Sequence, residues 1–497
     1  MSDAAPGLVS LIGAGPGDPD LITVRGRAAL ERAQCVLYDH LANAALLKLA
    51  AGAERIYVGK KRADHAVTQA EISELLIRKA RQGLRVARLK GGDPYLFGRG
   101  GEEAEALAAA GIPFEVIPGV TASLGIGAYC GVPLTHRDHN SAVTFVTGHD
   151  PERINWAAVA ASETLVVYMG LSTMGEIARR LLEAGREAET PAIAVRWGTR
   201  PEQASVRGTL GDIAGKVEAA RLKPPATIIV GDVVSLAETL NWYERLPLFG
   251  RRIVLTRAEE QAGETVATLR ALGAEAVELP TIAIRPPVSW VALDTAIERL
   301  GTYDWLVFTS VNGVRFFMER LDASRHDLRA FRGRIAVIGE KTREAVEALH
   351  WKVDLLPEEY VAESLLAAFE KYEMAGQRVL IPRAEVAREV LPETLRKRGA
   401  TVDVVAAYRN AVPEDAAARA AEVFGKRVDW VTFTAASTVK NLLTMVDREA
   451  LAGVKVASIG PVTSEVLRKH GVEVAAEASP YTIAGLIGAI LRVERGG

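Results

Sequence analysis

The chain has 497 residues, too many for one ordinary hydrophobic core, so two to four domains are expected. Apolar residues make up 49% and charged residues 25%, and the formal net charge is −2 with both signs interspersed. That balance is ordinary for a globular protein and argues against a nucleic-acid or acidic-membrane surface, so an anionic ligand would have to be held by local basic groups.

The two cysteines, Cys35 and Cys130, each lie inside an apolar stretch and imply no disulfide framework. Residues 1–7 lack the basic and apolar regions of a signal peptide, and no apolar run reaches the roughly 18 residues of a membrane span. A cytoplasmic, soluble protein with no nucleic-acid or membrane partner is expected.

Short β-rich runs alternate with amphipathic helical patterns, which reads as α/β layers. In the first half the runs are Leu8–Ile12, Cys35–Tyr38, Val86–Leu89, Ala142–Thr147, Thr164–Tyr168 and Thr227–Val230. The stretch Asn241–Gly250, NWYERLPLFG, brings Pro247 and Gly250 before a fresh strand and places a domain boundary there. The second half continues with Arg252–Leu255, Trp305–Phe308, Ile335–Ile338, Val379–Ile381, Trp430–Phe433 and Val456–Ile459, with helices such as Gln69–Gln82 and Val361–Tyr372 between strands.

The second half also repeats itself. Residues 252–280 resemble 378–405, with Arg257 matching Arg383 and Gly273 matching Gly399. Residues 305–314 (WLVFTSVNGV) resemble 430–439 (WVTFTAASTV), and 335–357 resemble 456–480, with Thr342 matching Thr463. The order A, B, A′, B′ predicts two similar α/β lobes, and two lobes make a cleft.

Three glycine-rich turns stand out in the first half. Val9–Asp18 (VSLIGAGPGD) begins like a dinucleotide fingerprint, but Asp18 replaces its last glycine and Pro16 and Pro19 interrupt the helix start. Arg88–Glu103 (RLKGGDPYLFGRGGEE) follows a strand and sets five glycines around Asp93 and Arg99. Val116–Ser123 (VIPGVTAS) is a further strand-to-helix turn, where Thr121 could cap the helix. His136 and His139 are spaced i, i+3 with no third ligand nearby, so no metal is expected.

The series GAGPGD, VLYDHL, YVGKK, RLKGGDPYLFGRGGEE, VIPGVTAS, GVPLTHRDH, VTGHD and VYMG over residues 8–245 resembles the tetrapyrrole methylase family. Within it, uroporphyrinogen-III C-methyltransferases and the methylase half of siroheme synthase are most similar. The other half of siroheme synthase, an NAD-binding dehydrogenase and chelatase, is expected to be absent, since nothing precedes Leu8. The resemblance implies two α/β subdomains, S-adenosyl-L-methionine as cofactor, and a homodimer formed through this half.

It also implies cofactor contacts from Pro16, Gly91, Gly92, Asp93, Leu96, Thr121, Ala122, Met169 and Gly198. Backbone groups of glycine turns can bond adenine and the amino-acid tail, and a carboxylate can accept from ribose hydroxyls or the ammonium. Asp39 matches the family's general base and Lys60 its proton donor; read without the resemblance, they are a turn carboxylate and a solvated lysine. Uroporphyrinogen carries eight carboxylates, for which Arg62, Arg99 and Arg137 are candidate partners.

Residues 251–490 hold no nucleophile–base pair and no P-loop. Small hydroxyl residues recur after strands instead, among them Thr309, Ser310, Ser437 and Thr463, with Asn312 beside them. The series VFTSVNGV, IPRAE, AAYRN, TFTAAST and IGPVTSE resembles the uroporphyrinogen-III synthase family, whose two lobes flank a cleft, and the resemblance implies discontinuous lobes, 252–283 plus 413–490 and 286–410. The resemblance implies Tyr408 as the group assisting loss of a substrate hydroxyl, with Arg257 and Arg383 binding substrate carboxylates. Together the halves imply closure of hydroxymethylbilane to uroporphyrinogen III and two methylations to precorrin-2, toward siroheme or cobalamin. The alternative is a methylase of another tetrapyrrole joined to a non-catalytic two-lobed ligand-binding module.

Overall fold

A computed structural model of the chain describes residues 6–59, 67–258, 262–359 and 361–496. It divides into two compact units, Met1–Arg251 with Thr268–Glu275, and Arg252–Ala267 with Ala276–Gly497. Among the described residues, no helix is long and apolar enough to cross a membrane.

The first unit holds two sheets. Strands β1 (Val9–Gly13), β2 (Cys35–Tyr38), β3 (Glu54–Tyr57), β4 (Val86–Lys90) and β5 (Phe114–Ile117) lie parallel in the order β3-β2-β4-β1-β5. Alternate side chains leave on opposite faces. Val9, Leu11, Cys35, Leu37 and Val86 pack on Ile72, Leu76 and Leu107 of helices Gln69–Arg81 and Gly100–Ala109. Ile12, Val36, Ala87, Leu89 and Ile117 pack on Leu30, Leu46 and Leu47. Helices cover both faces, so the strands are apolar on both sides, as a parallel sheet requires. Helix Gln69–Arg81 starts at a capping box in which Thr68 and Glu71 satisfy each other's backbone N–H.

The second sheet contains β6 (Val143–Thr147), β7 (Thr164–Tyr168), β8 (Pro191–Arg196), β9 (Ala204–Thr209) and β10 (Ala226–Val230) in the order β6-β7-β10-β8-β9. Only β6 and β7 are parallel; β7–β10, β10–β8 and β8–β9 are antiparallel. The sequence pattern misses β8 and β9, because Pro191 opens one and Arg207 and Gly208 interrupt the apolar character of the other.

The second unit carries β11 (Arg252–Leu255), β12 (Glu275–Glu278), β13 (Ala283–Arg285), β14 (Trp305–Phe308), β15 (Arg334–Val337), β16 (Arg378–Ala384), β17 (Thr401–Ala411), β18 (Trp430–Phe433), β19 (Lys455–Ser458) and β20 (Ala476–Glu477). They form two sheets, β12-β11-β18-β19-β20 and β13-β17-β16-β14-β15. Laid against the repeat, β12-β11-β18-β19 corresponds strand for strand to β17-β16-β14-β15. Segment A thus pairs with B′, and A′ with B: the two copies have exchanged halves. The middle lobe starts at Ala283 rather than at residue 286, because β13 pairs antiparallel with Arg409–Ala411 of β17.

Equivalent strands carry equivalent anchors. Trp305 and Trp430 open β14 and β18, both are buried, and each lies in register with a cation over its ring, Arg334 at 5.7 Å and Lys455 at 5.4 Å from the centroid. Full burial of a large side chain stabilises by about 1.5–3 kcal/mol, and the overlying cation adds roughly 0.5–1 kcal/mol at an exposed site.

Candidate functional site

In the first unit the C-terminal ends of β1, β4 and β5 meet, the edge at which open α/β sheets hold ligands. Glycine is required there. A Cβ on Gly119 would stand 2.3 Å from the Gly92 carbonyl oxygen and 2.7 Å from Gly13 Cα. Gly15 and Gly92, both with left-handed φ, exchange backbone hydrogen bonds of 3.3 and 2.7 Å. Asp93 ties the loops together: Oδ1 accepts from the N–H of Tyr95 (2.8 Å) and Leu96 (3.2 Å), and Oδ2 from that of Gly119 (3.0 Å).

Loops of the second sheet complete the arrangement. Thr121 occupies the N-cap position of helix Ala122–Cys130, but its side chain does not cap. It bonds instead to the Tyr168 hydroxyl at the end of β7 (2.7 Å), which also accepts the Ser123 N–H (3.1 Å) and donates to Ser123 Oγ (2.7 Å). Met169 follows. Pro16 lies against the same helix, where a Cβ on Gly125 would come within 2.4 Å of Pro16 Cγ, and a Cβ on Gly198 within 2.2 Å of Ile126 Cγ1. Thr199 Oγ1 accepts from the Asp18 N–H (2.9 Å).

Phe97, Arg99, Met169, Trp197 and Thr199 all hold positive φ, from 49° to 68°. Non-glycine residues pay for that conformation, and such strain concentrates where a ligand is gripped. The nine residues expected at the cofactor therefore fall on the loops that converge here.

Asp39 follows β2. Its Oδ1 accepts from the Leu41 N–H (3.0 Å), the turn its position alone suggests, while Oδ2 accepts from Arg88 Nη2 (3.2 Å). Arg88 bonds in turn to Glu103 (3.1 Å), which also receives Lys90 Nζ (2.9 Å) and Gln69 Nε2 (3.0 Å). Glu103 is 0% exposed and the two cations nearly so. Burial, with Arg88 nearby, pushes Lys90 below the ordinary lysine value, and Glu103 opposes that shift. The sequence reading missed this cluster. Its signal was available, since Arg88 and Lys90 alternate along a strand whose neighbours on that face are apolar.

Lys60 and Arg62 lie outside the described residues. Arg99 is exposed and paired with Glu102 (2.7 Å), and Arg137 is exposed on the turn before His139. The His136 and His139 rings are 4.9 Å apart, and no group of three or more potential metal ligands occurs among the described residues.

In the second unit Ser310 and Tyr408 come together from the ends of different segments. Ser310 caps helix Val311–Asp322, its Oγ accepting from the Gly313 N–H (3.1 Å), and lies 3.0 Å from the Tyr408 hydroxyl. The Tyr408 ring, near the end of β17, stacks on Phe316, with centroids 6.0 Å apart and planes 14° from parallel. Thr309 and Asn312 are half-buried beside Ser310, while Ser437 is exposed and Thr463 is buried in the first turn of helix Pro461–Lys469. Arg383 is buried, donating to the Arg388 carbonyl (2.7 Å) and pairing with Glu389. Arg257, after β11, is half-buried.

Comparisons with known proteins match the two halves of the chain separately. Residues 8–214 match the family model for tetrapyrrole (corrin/porphyrin) methylases, and residues 263–488 that for uroporphyrinogen-III synthase HemD. A porphyrin biosynthesis protein HemD of Ruminiclostridium josui is 36% identical over 499 residues, covering 99% of both chains. The siroheme synthase of Azotobacter vinelandii is 51% identical over 252 residues, 49% of this chain and 54% of that one, so the likeness spans about half of that relative. Among solved structures, a uroporphyrin-III C-methyltransferase of Thermus thermophilus complexed with S-adenosylhomocysteine is 42% identical. It covers 46% of this chain and 100% of that one, with a TM-score of 0.42.

Proposed function

Because this chain belongs to the family of porphyrin biosynthesis proteins in which a tetrapyrrole methylase is followed by a uroporphyrinogen-III synthase, we propose that it performs two consecutive steps. The second half closes hydroxymethylbilane to uroporphyrinogen III with inversion of the last pyrrole. The first half then methylates that product twice, giving precorrin-2. The observation that carries the methylase reading is the glycine cradle at the strand ends, where a Cβ on Gly13 or Gly119 would meet neighbouring backbone at 2.3–2.8 Å and Gly15 and Gly92 hold left-handed φ.

That cradle, Asp93 and the strained Met169 and Trp197–Thr199 turns fit S-adenosyl-L-methionine, which when bound supplies an electrophilic methyl group on a sulfonium. Displacement at a methyl carbon depends on alignment, and a rigid set of loops provides it. Asp39 takes the proton that the attacked macrocycle carbon sheds, and Arg88 holds its carboxylate in place. Lys60, as proton donor, and Arg62, Arg99 and Arg137, as partners of substrate carboxylates, belong to the same reading.

In the second half the terminal C–O bond of hydroxymethylbilane breaks as the pyrrole nitrogen pushes its electron pair toward that carbon. The hydroxyl leaves with a proton as water, and the freed methylene carbon bonds to the substituted α-carbon of the last pyrrole. The bond from that α-carbon to the preceding methylene then breaks and re-forms at the pyrrole's free α-carbon, which inverts the ring and sheds a proton. The substrate largely activates itself, so the cleft mainly shapes the chain, and Tyr408 supplies the proton. Thr309, Asn312, Ser437, Thr463, Arg257 and Arg383 are proposed to orient the carboxylates. Assembly as a homodimer through the methylase half completes the proposal, and light scattering of the intact protein would return twice the chain mass.

Anaerobic incubation with hydroxymethylbilane and S-adenosyl-L-methionine tests both halves at once. The expected product is a type-III macrocycle two methyl groups heavier than uroporphyrinogen. An unmethylated product would overturn the methylase reading, and an uninverted ring would overturn the synthase reading.

A further inference from the structure

The exchanged duplication provides an internal control for the second site. Ser310 and Ala435 are equivalent residues of B and B′, and their backbones agree closely, φ −163° and ψ 155° against φ −164° and ψ 156°. Both stand at the N-cap of a helix that follows an equivalent strand. Only Ser310 has a hydroxyl. The helix after Ala435 forms without any side-chain cap, so the fold does not need one at this position.

The partner changes with it. The 126-residue offset of A and A′ puts Ile282 where Tyr408 stands, and the stretch LPTIAIR (279–285) contains no tyrosine. The hydroxyl pair is thus present in one copy and replaced by alanine and isoleucine in the other. A cap alone would not require the tyrosine, and a buried tyrosine anchor alone would not require the serine.

We propose that Ser310 is a positioning residue that acts through Tyr408. Ser310 Oγ accepts the Gly313 N–H, and we assign its own proton to the phenolic oxygen 3.0 Å away, a contact in which either hydroxyl can donate. That bond occupies an acceptor site of Tyr408 and leaves the phenolic proton available for the departing hydroxyl of the substrate. Stacking on Phe316 fixes the ring plane, and Ser310 fixes the rotation of the O–H about the C–O bond. The proton then leaves Tyr408 with the hydroxyl as water and is replaced by the one the closing macrocycle sheds. Ser310 exchanges none of its own.

The inference rests on the synthase reading, and the experiment separates the two. The intact protein is assayed with hydroxymethylbilane in the absence of S-adenosyl-L-methionine, as wild type, Ser310→Ala, Ser310→Thr, Ser310→Asp, Tyr408→Phe and Ser310→Ala/Tyr408→Phe. Ser310→Ala is expected to lower kcat about tenfold, the scale of one lost hydrogen bond, with KM within about twofold. In the Tyr408→Phe background the same change is expected to cost less than about twofold, since residues acting as a unit are not additive. Ser310→Thr restores activity, whereas Ser310→Asp, which keeps the cap but has no proton to give, does not. Equal losses in both backgrounds, a loss confined to KM, or full activity in Ser310→Asp would overturn the role of Ser310. A wild-type protein that gives no type-III ring would overturn the synthase reading instead.

Discussion

Asp304 and Asp429 do the same work in the two lobes of the second unit. Asp304 immediately precedes β14, and its Oδ2 accepts the N–H of Arg378, the first residue of β16, at 2.8 Å; Asp429 precedes β18 and accepts the N–H of Arg252, the first residue of β11, also at 2.8 Å. The backbone repeats the match, with Asp304 N–H donating to the Arg378 carbonyl and Asp429 N–H to that of Arg252, both at 2.9 Å. In each lobe this pair stitches an A-type strand to a B-type strand taken from the other copy, so it specifies the exchange. Removing the carboxylate leaves a backbone donor unsatisfied, which costs about 1–3 kcal/mol. Asp304→Ala and Asp429→Ala are each expected to lose that much in urea denaturation of the intact protein, while the asparagine variants, which keep an acceptor, lose less. A loss confined to one lobe would mean that the two junctions are not equivalent.

Glu103 balances two buried cations, Arg88 and Lys90. A neutral side chain there strands Lys90 and leaves Arg88 paired with Asp39 alone, and breaking a buried pair typically costs about 3–5 kcal/mol. Glu103→Gln is accordingly expected to destabilise the first unit strongly, while Glu102→Gln, on the exposed neighbouring pair with Arg99, shifts stability by less than about 1 kcal/mol. Thermal unfolding followed by tryptophan fluorescence compares them. Similar midpoints for the two variants would remove the cluster from any structural account.

Lys90 gives this cluster a pH signature. Burial lowers its folded-state value below 10.5, so between the folded value and 10.5 the unfolded chain binds more protons than the native one. Stability contributed by this group is therefore present above about 10.5, and is lost as pH falls through the folded-state value. Lys90→Met removes the titrating group. The wild-type stability minus that of Lys90→Met is expected to rise with pH on approach to 10.5. A pH-independent difference would show that Lys90 is not perturbed by its surroundings.

Much of this architecture is legible in the sequence. Strands such as Trp305–Phe308 and Trp430–Phe433 announce themselves by four consecutive apolar or β-branched residues bounded by Asp and Thr. The repeat of A and B is likewise visible in one dimension, but its exchange is expected only through the family resemblance, because nothing in a linear pattern says which strands pair. The candidate methylase site shows the same division. Glycines signal close backbone approach, so the loops at Gly13, Gly91 and Gly119 could be read in advance. Glu103, which closes the ion cluster from a helix, and Tyr168, which joins β7 to Thr121, look like ordinary surface and strand residues until the chain is folded.

Gly119 offers a test of the cradle that no flexible side chain can absorb. Its Cβ would meet backbone atoms of Gly92 and Gly13, so Gly119→Ala forces β4 and β5 loops apart at the candidate cofactor site. Binding of S-adenosyl-L-methionine, measured by calorimetry on the intact protein, is expected to weaken more than about tenfold, since the amides that would contact it move. Ring closure of hydroxymethylbilane is expected to persist. Unchanged cofactor affinity would place the binding site elsewhere.

Tyr168 poses the question of how the two sheets of the first unit cooperate. Its ring belongs to β7, while its hydroxyl serves Thr121 and Ser123 at the start of the helix that follows β5. Tyr168→Phe keeps the ring beside Phe97 and Phe145 but leaves the Ser123 N–H and the Thr121 hydroxyl without their partner. Three lost hydrogen bonds at a partly buried site, the third to Ser123 Oγ, cost on the order of 1–3 kcal/mol, and that cost falls on the ordering of the Thr121–Ala122 turn. Because the turn is proposed to contact the cofactor and not the methyl acceptor, KM for S-adenosyl-L-methionine should rise roughly tenfold or more while kcat at saturation changes little. The opposite split, a fall in kcat at unchanged KM, would assign the tyrosine to the chemical step and make the turn it holds a bystander.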